Sequence, residues 1–220
     1  MPTIKGKFIV IEGSDGTGKE TQSKLLAKKL LAERISFPDY DSKEGKIIRK
    51  YLNGEFGNVK DVGPYDIAPV YGMDRFAHKE QIEKVLSSGT HLISDRYFDS
   101  NAAYQGAKIK NEEARKEFYR HLVSFEYRIL GIHLPDIVVN LRLDGDIAEK
   151  HLSERDQFDI HEQSAGYLEL VRVEYDRIAS EYYGDIFPGR RVVVDCSEGG
   201  KQLPIEEISN RIHKYIEKLF

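Results

Sequence analysis

The stretch GSDGTGKET, residues 13 to 21, has the glycine and lysine spacing of a loop that cradles phosphate. Gly13, Gly16 and Gly18 let the backbone curl so that amide N–H groups point inward, and Lys19 reaches toward the outer phosphates of a nucleotide. With Ser14, Asp15 and Thr17 between them, these residues form the expected nucleotide-phosphate site. The pattern asks for a hydroxyl directly after its lysine, where Mg²⁺ is usually held. Glu20 stands there instead, and Thr21 comes one position late. A carboxylate is also a hard oxygen ligand, so either Glu20 takes part in metal binding, directly or through water, or it points to solvent while Thr21 packs locally.

Three other segments carry side chains suited to a ligand. In SDRYFDSNAAYQG, residues 94 to 106, an acid and an arginine follow an apolar run. Beyond the carboxyl end of a parallel strand, Asp95 could organise Mg²⁺ or its waters, and Arg96 could grip an anionic oxygen with its planar fork. The same pair elsewhere would be an ordinary surface ion pair. In YGMDRF, Tyr71 and Arg75 are four residues apart and share a helix face. They could sandwich and hydrogen-bond a base, or simply pack as a cation–π pair. In FPDY, Pro38 turns the chain out of a strand, leaving Phe37 and Tyr40 to line a cleft or, for Phe37, to join the core.

These residues need a scaffold that presents them together. The apolar run Phe8 to Glu12 reads as a buried parallel strand, and Lys19 to Arg34 has the apolar spacing of a helix. Further strands are expected at 91–94, 137–141 and 191–194, with a weaker one at 35–37. A helix should open at Gly63-Pro64 and close at Gly89, with Pro69 kinking it or delaying its start. A last amphipathic helix follows Pro204. Strands alternating with helices predict an α/β fold: one three-layer α/β/α domain on a parallel sheet of about five strands.

With 220 residues, 40% hydrophobic and 32% charged, the chain can bury the core of one domain. A net charge of -4 argues against a nucleic-acid binder. A single cysteine, Cys196, excludes an intrachain disulfide and suits a reducing compartment. No apolar run is long enough for a membrane span, and the N-terminal residues lack the pattern of a signal peptide. A cytoplasmic protein is the expectation.

Taken in order, FIVIEGSDGTGKETQ, FPDY, GKIIRKYLNGEFG, YGMDRF, DRYFDSNAAYQG and PDIVVNL resemble the thymidylate kinases, a family of P-loop nucleoside monophosphate kinases. The resemblance covers nearly the whole chain. It implies transfer of the ATP γ-phosphoryl group to dTMP, Mg²⁺ as cofactor, and a homodimer, for which the helices after Gly63 and Asn111 are candidates. By position, Asp15 would approach the deoxyribose 3′-hydroxyl, Tyr71 would stack on thymine and Arg75 would bind its edge. Arg96 would hold the acceptor phosphate, and Ser100 and Asn101 would face the base. Tyr104 would crowd a ribose 2′-hydroxyl, and Phe37 and Tyr40 would line the monophosphate site. Gly16 stands where some members carry a catalytic arginine, which implies that a mobile lid supplies one instead. That lid is expected at about 152–164, with Arg155 its only arginine and Arg142 a possible substitute.

Other readings remain for the residues. Another nucleotide kinase would share the phosphate loop but want different base contacts. A regulatory ATPase would bind nucleotide without an acceptor. A GTPase is disfavoured, because no guanine-reading Asn/Thr-Lys-x-Asp follows a late strand. A scaffold without activity would explain Glu20 and the sparse lid.

Overall fold

The computed structural model describes residues 5–153, 159–162, 164, 166–180 and 182–220. Five parallel strands form the sheet: β1 (Phe8–Glu12), β2 (Glu33–Ser36), β3 (Leu92–Asp95), β4 (Ile137–Arg142) and β5 (Arg191–Asp195). Their order is β2-β3-β1-β4-β5. β1 lies at the centre and is buried on both faces. Phe8 and Val10 enter one apolar cluster and Ile9 and Ile11 the other, as the two-residue period of a strand requires. One cluster is completed by α3 (Pro64–Ala77), α4 (Lys79–Ser87), α5 (Phe98–Gly106), α6 (Glu112–Val123) and α8 (Tyr167–Ala179). The other is completed by α1 (Lys19–Leu30), α7 (Gly145–Ser153) and α9 (Ile205–Ile216). These are the three layers expected of the α/β fold.

Several boundaries differ from the sequence expectation. α1 stops at Leu30 because Leu31 takes a left-handed conformation (φ 51°) and turns the chain into β2, which starts two residues before the expected strand. The helix expected from Pro64 to Gly89 is two helices broken at His78, whose ring bonds the Asp74 carbonyl and the Asp39 carboxylate. Pro69 stays inside α3, where its ring costs only one bond of the second turn. The helix α2 (Lys43–Leu52), a π-helical turn at Ser124–Leu130 and the hairpin Ser197–Glu198 with Lys201–Gln202 had no counterpart in the expectation.

Strand register sets where the chemistry stands. Ile11 lies opposite Asp95, so β1 and β3 end together. Past those ends the ladder continues: Arg96 N donates to Ile11 O at 2.9 Å, and Phe37 N to Asp95 O at 3.0 Å. The phosphate loop, Arg96 and the Phe37 segment therefore leave the sheet side by side at its carboxyl edge.

Candidate active site

The phosphate loop turns where only glycine fits. Gly13 has φ 142°, and a Cβ there would lie 2.5 Å from the Leu141 carbonyl oxygen. Gly16 has φ 84°, and its Cβ would lie 2.8 Å from the carbonyl oxygen of Ala148 on α7. Inside the loop, Thr17 Oγ1 and Lys19 Nζ both donate to the Ser14 carbonyl oxygen, at 2.8 and 2.7 Å. Lys19 is buried, and its Nζ is 3.8 Å from Asp15. Burial, then the Arg96 charge, pushes its ammonium down to about 8, against the pull of Asp15 and Asp95. A lysine in this state gains most when an anion arrives. Glu20 resolves its alternatives toward solvent: it is exposed on α1 and pairs with Lys24 at 2.5 Å, one helical turn on. Thr21 is exposed beside it.

Asp95 and Arg96 end β3 with different partners. Asp95 Oδ2 accepts from Arg34 Nη2 at 2.7 Å, and Arg34 Nε donates to Ser23 Oγ at 2.8 Å. Arg96 has φ 65°, an uncommon backbone for a residue with a side chain. That turn sends its guanidinium back to the phosphate loop, where it donates to Asp15 and, at 3.2 Å, to Ser100 Oγ. Burial is the largest single influence and works against its charge, but Asp15, Tyr104, Tyr175 and Glu12 together raise its pKa.

Around this pair lies a cavity of about 200 Å³. Asp15, Phe37, Tyr40, Tyr71, Arg75, Arg96, Ser100, Asn101 and Tyr104 all line it, so every residue expected at the acceptor site comes to one place. Local bonds explain the convergence. Asp74 on α3 accepts from Asp39 N at 2.9 Å and from Ser42 Oγ at 2.7 Å, pinning the Phe37–Tyr40 loop to the helix that carries Tyr71 and Arg75. Phe37 meets Tyr97 and His78 edge-on or tilted, with its ring both core and wall.

The far wall presents a pattern of donors and acceptors. Glu126, fully buried, accepts from Arg75 Nε at 2.7 Å and Nη2 at 2.6 Å, a bidentate pair. Arg75 Nη1 donates to Tyr97 O at 3.0 Å. Five N–H groups minus these three leave two for a ligand. Asn101 Nδ2 donates to Ala68 O and to Glu126, each at 3.0 Å, which turns its Oδ1 outward as a buried acceptor without a partner. Both polar atoms of Gln105, also buried and also lining the cavity, are unpartnered. Such groups are costly unless something fills the cavity.

Several contributors escaped the sequence reading. Glu12, at the end of β1, is fully buried and accepts from Tyr97 N (2.7 Å), Ser100 N (3.0 Å), Ser100 Oγ (2.6 Å) and Tyr175 hydroxyl (3.1 Å). It caps the first turn of α5 from another strand, and only its odd place as an acid ending an apolar run signals it. Gln105 follows Tyr104 in a stretch already singled out. Asp159, His161 and Glu162, within the stretch expected as the lid, line the cavity, and Arg49 lies 5.0 Å over the Tyr40 ring. Arg155 lies outside the described residues. Arg142 faces another cavity beside Ser14 and pairs with Asp195 at 2.6 Å.

For a metal, no group of three or more acid, His or Cys side chains gathers among the described residues. Asp95 is buried at the strand end with one oxygen on Arg34.

A phosphate loop facing an acceptor cavity across one arginine is the plan of a nucleotide phosphotransferase, and comparison with known proteins gives its family. The thymidylate kinase family profile matches residues 11–188. The chain belongs to the thymidylate kinase family. Members of that family phosphorylate dTMP to dTDP using ATP. The chain is 32% identical over 216 residues to the probable thymidylate kinase of Methanocaldococcus jannaschii, covering 98% of each. It is 33% identical to the thymidylate kinase of Leifsonia xyli, covering 96% of this chain and 95% of that one. The thymidylate kinase structure from Candida albicans superposes with a TM-score of 0.74 at 26% identity, over 97% of this chain and 92% of that one. The thymidylate kinase structure from Ehrlichia chaffeensis, at 20% identity and a TM-score of 0.66, shares the fold over 96% of this chain. Among the described residues no helix is long and apolar enough to cross a membrane.

Proposed function

We propose that the loop Gly13–Thr21 holds the ATP phosphates, that the cavity holds dTMP, and that Arg96 stands between them. The observation that carries this reading is the far wall of the cavity. Asn101 Oδ1 is an unpartnered acceptor, and Arg75, which lines the same cavity, has two N–H groups beyond those bonded to Glu126 and Tyr97. Thymine offers the complement, an N3–H donor next to the O4 acceptor. Cytosine offers an acceptor at N3 and donors at N4, which would set like against like. Tyr71 is the ring available to stack on the base, and Phe37 and Tyr40 flank the phosphate end. Tyr104, its hydroxyl donating to Asp15, stands where a 2′-hydroxyl would collide.

The chemistry asks for positioning and neutralised charge rather than a strong base, because a phosphate monoester is already ionised near neutral pH. Lys19 and the loop amides take up donor charge. Arg96 leaves Asp15 for the acceptor phosphate and holds it in line with ATP, freeing Asp15 for the sugar 3′-hydroxyl. Arg155, in the lid, completes the charge as the site closes and water is excluded. Mg²⁺ bound with ATP would neutralise charge on the β- and γ-phosphates, with Asp95 holding it directly or through water. The protein works as a cytoplasmic homodimer, with α3 and α6 forming the interface.

The test is ADP formation from Mg-ATP with dTMP, dUMP, dCMP, UMP, AMP and GMP supplied singly. Turnover with dTMP well above the others is expected. ATP binding with no acceptor-dependent turnover would overturn the reading in favour of a regulatory nucleotide binder.

A further inference from the structure

His161 has no part in the scheme above, yet it is buried against the cavity, at 3% exposure. Its ring lies 5.0 Å from that of Tyr104 at 34°, and 5.3 Å from that of Tyr167 at 44°. Its Nε2 is 2.8 Å from the Tyr51 hydroxyl. That hydroxyl accepts from Lys108 Nζ at 2.9 Å, so its own hydrogen is left for His161. Nε2 is therefore the acceptor, and the ring proton sits on Nδ1. Lys108 is itself anchored by donating to Val62 O at 2.9 Å. On the other side, His161 N donates to Asp159 Oδ1 at 2.8 Å, fixing the turn that carries it. Burial, with Lys108 nearby, pushes the imidazole down to about 3, so the ring is neutral and serves as an uncharged plate.

Tyr104 has other supports, and its ring also meets those of Tyr167 and Tyr175, at 6.5 and 6.4 Å, and the Arg96 guanidinium at 5.7 Å. Its hydroxyl donates to Asp15, and its backbone oxygen accepts from the Tyr167 hydroxyl. These fasten the tip and the root of the residue. Movement of the ring itself is resisted by packing, and of the aromatic rings around it His161 is the nearest and the most nearly parallel.

We propose that His161 is a positioning residue for the sugar gate: its ring keeps Tyr104 pressed toward the 2′ carbon of the acceptor, and the Lys108–Tyr51 chain keeps the His161 ring in place. The inference rests on the reading of Tyr104 as the residue that excludes ribose. It links the turn at 159–162 to substrate choice.

The experiment compares kcat/KM for dTMP with that for 5-methyluridine 5′-monophosphate, which differs only by the 2′-hydroxyl. In His161→Ala the preference for dTMP should fall about tenfold, the size of effect expected when a steric wall is lost. His161→Phe, which restores a ring, should return most of it. Tyr51→Phe keeps every ring and removes one hydroxyl, so it should fold normally and show a smaller loss in the same direction. A purely structural role would lower both kcat/KM values together and leave their ratio alone, and that result in His161→Ala would overturn the proposal. So would a His161→Phe enzyme as unselective as the alanine variant, or an unchanged ratio in Tyr51→Phe. A wild-type enzyme active on dTMP but indifferent to the 2′-hydroxyl would overturn the gate itself and this role with it, while leaving the kinase assignment intact.

Discussion

Lys19 and Asn101 show how buried polar groups announce a missing ligand. Lys19 is enclosed, with Asp15 3.8 Å away and Asp95 and Glu12 adding to its pull, and burial still brings its ammonium down to about 8. Because its pKa is lowered, the positive charge is present below that pH and lost as pH rises through it. The value of kcat/KM for ATP, which reports the free enzyme, should therefore fall above about pH 8. A Lys19→Arg variant retaining measurable activity should lack that limb, and a pH profile of the two enzymes decides the point. Lys19→Ala and Arg96→Ala should both be inert under saturating ATP and dTMP; near-normal turnover of either would remove it from the mechanism. Asn101→Leu keeps the volume and deletes the acceptor. It should cost dTMP about 10- to 100-fold in kcat/KM and erase much of the preference over dCMP, measured with both substrates side by side. Of the residues that line the cavity, Phe37, Tyr40, Tyr71, Arg75 and Arg96 were legible as types at fixed spacings, while Asp15, Ser100, Asn101 and Tyr104 were assigned by resemblance. Glu126 was neither, because nothing local marks a lone acid in a helical stretch as the partner of an arginine 51 positions away. Glu20 was ambiguous for the opposite reason: its position says metal, while its helical neighbour Lys24 draws it to the surface.

At the level of elements, close approach does much of the positioning. A Cβ on Gly72 would lie 3.1 Å from Phe125 and 3.2 Å from Glu126, so α3 and the π-helical turn meet closely enough for the Arg75–Glu126 pair to form. Gly72→Leu should destabilise the fold by about 1–3 kcal/mol through overpacking and weaken dTMP binding more than ATP binding. Thermal unfolding together with separate titrations of the two nucleotides would show it; equal weakening of both would argue for a general loss of structure. The five strands and the final helix were readable from apolar runs and periodicity, to within a residue or two at their ends. The break at His78 was not, because it depends on bonds to Asp39 and Asp74 that bring separate segments together. The lid was placed by resemblance alone, and of its residues the structure shows Asp159, His161 and Glu162 lining the acceptor cavity.

For the molecule as a whole, the outer faces of α3 and α6 are the place to look for a partner copy. Tyr65, Met73 and Phe76 are partly exposed on α3, and Tyr65 packs edge-on against Phe118 of α6, making one continuous surface. Sedimentation velocity should find a dimer, and Phe76→Lys should shift it toward monomer. A wild-type monomer at micromolar concentration would dismiss the interface.

The buried carboxylate of Glu12 has a consequence for how such an enzyme can change. It ends the strand that feeds the phosphate loop, yet it holds the first turn of the helix that carries Ser100, Asn101 and Tyr104. Donor and acceptor are thus hung from a single hinge pin, and the distance a phosphoryl group must travel is set there. Tyr71 and Arg75, proposed above to read the base together with Asn101, belong to α3 instead. In the proposed function the base is thus read from both helices, α3 and α5, so substitutions on α3 should retune nucleobase choice while leaving Glu12 and the span it sets in place.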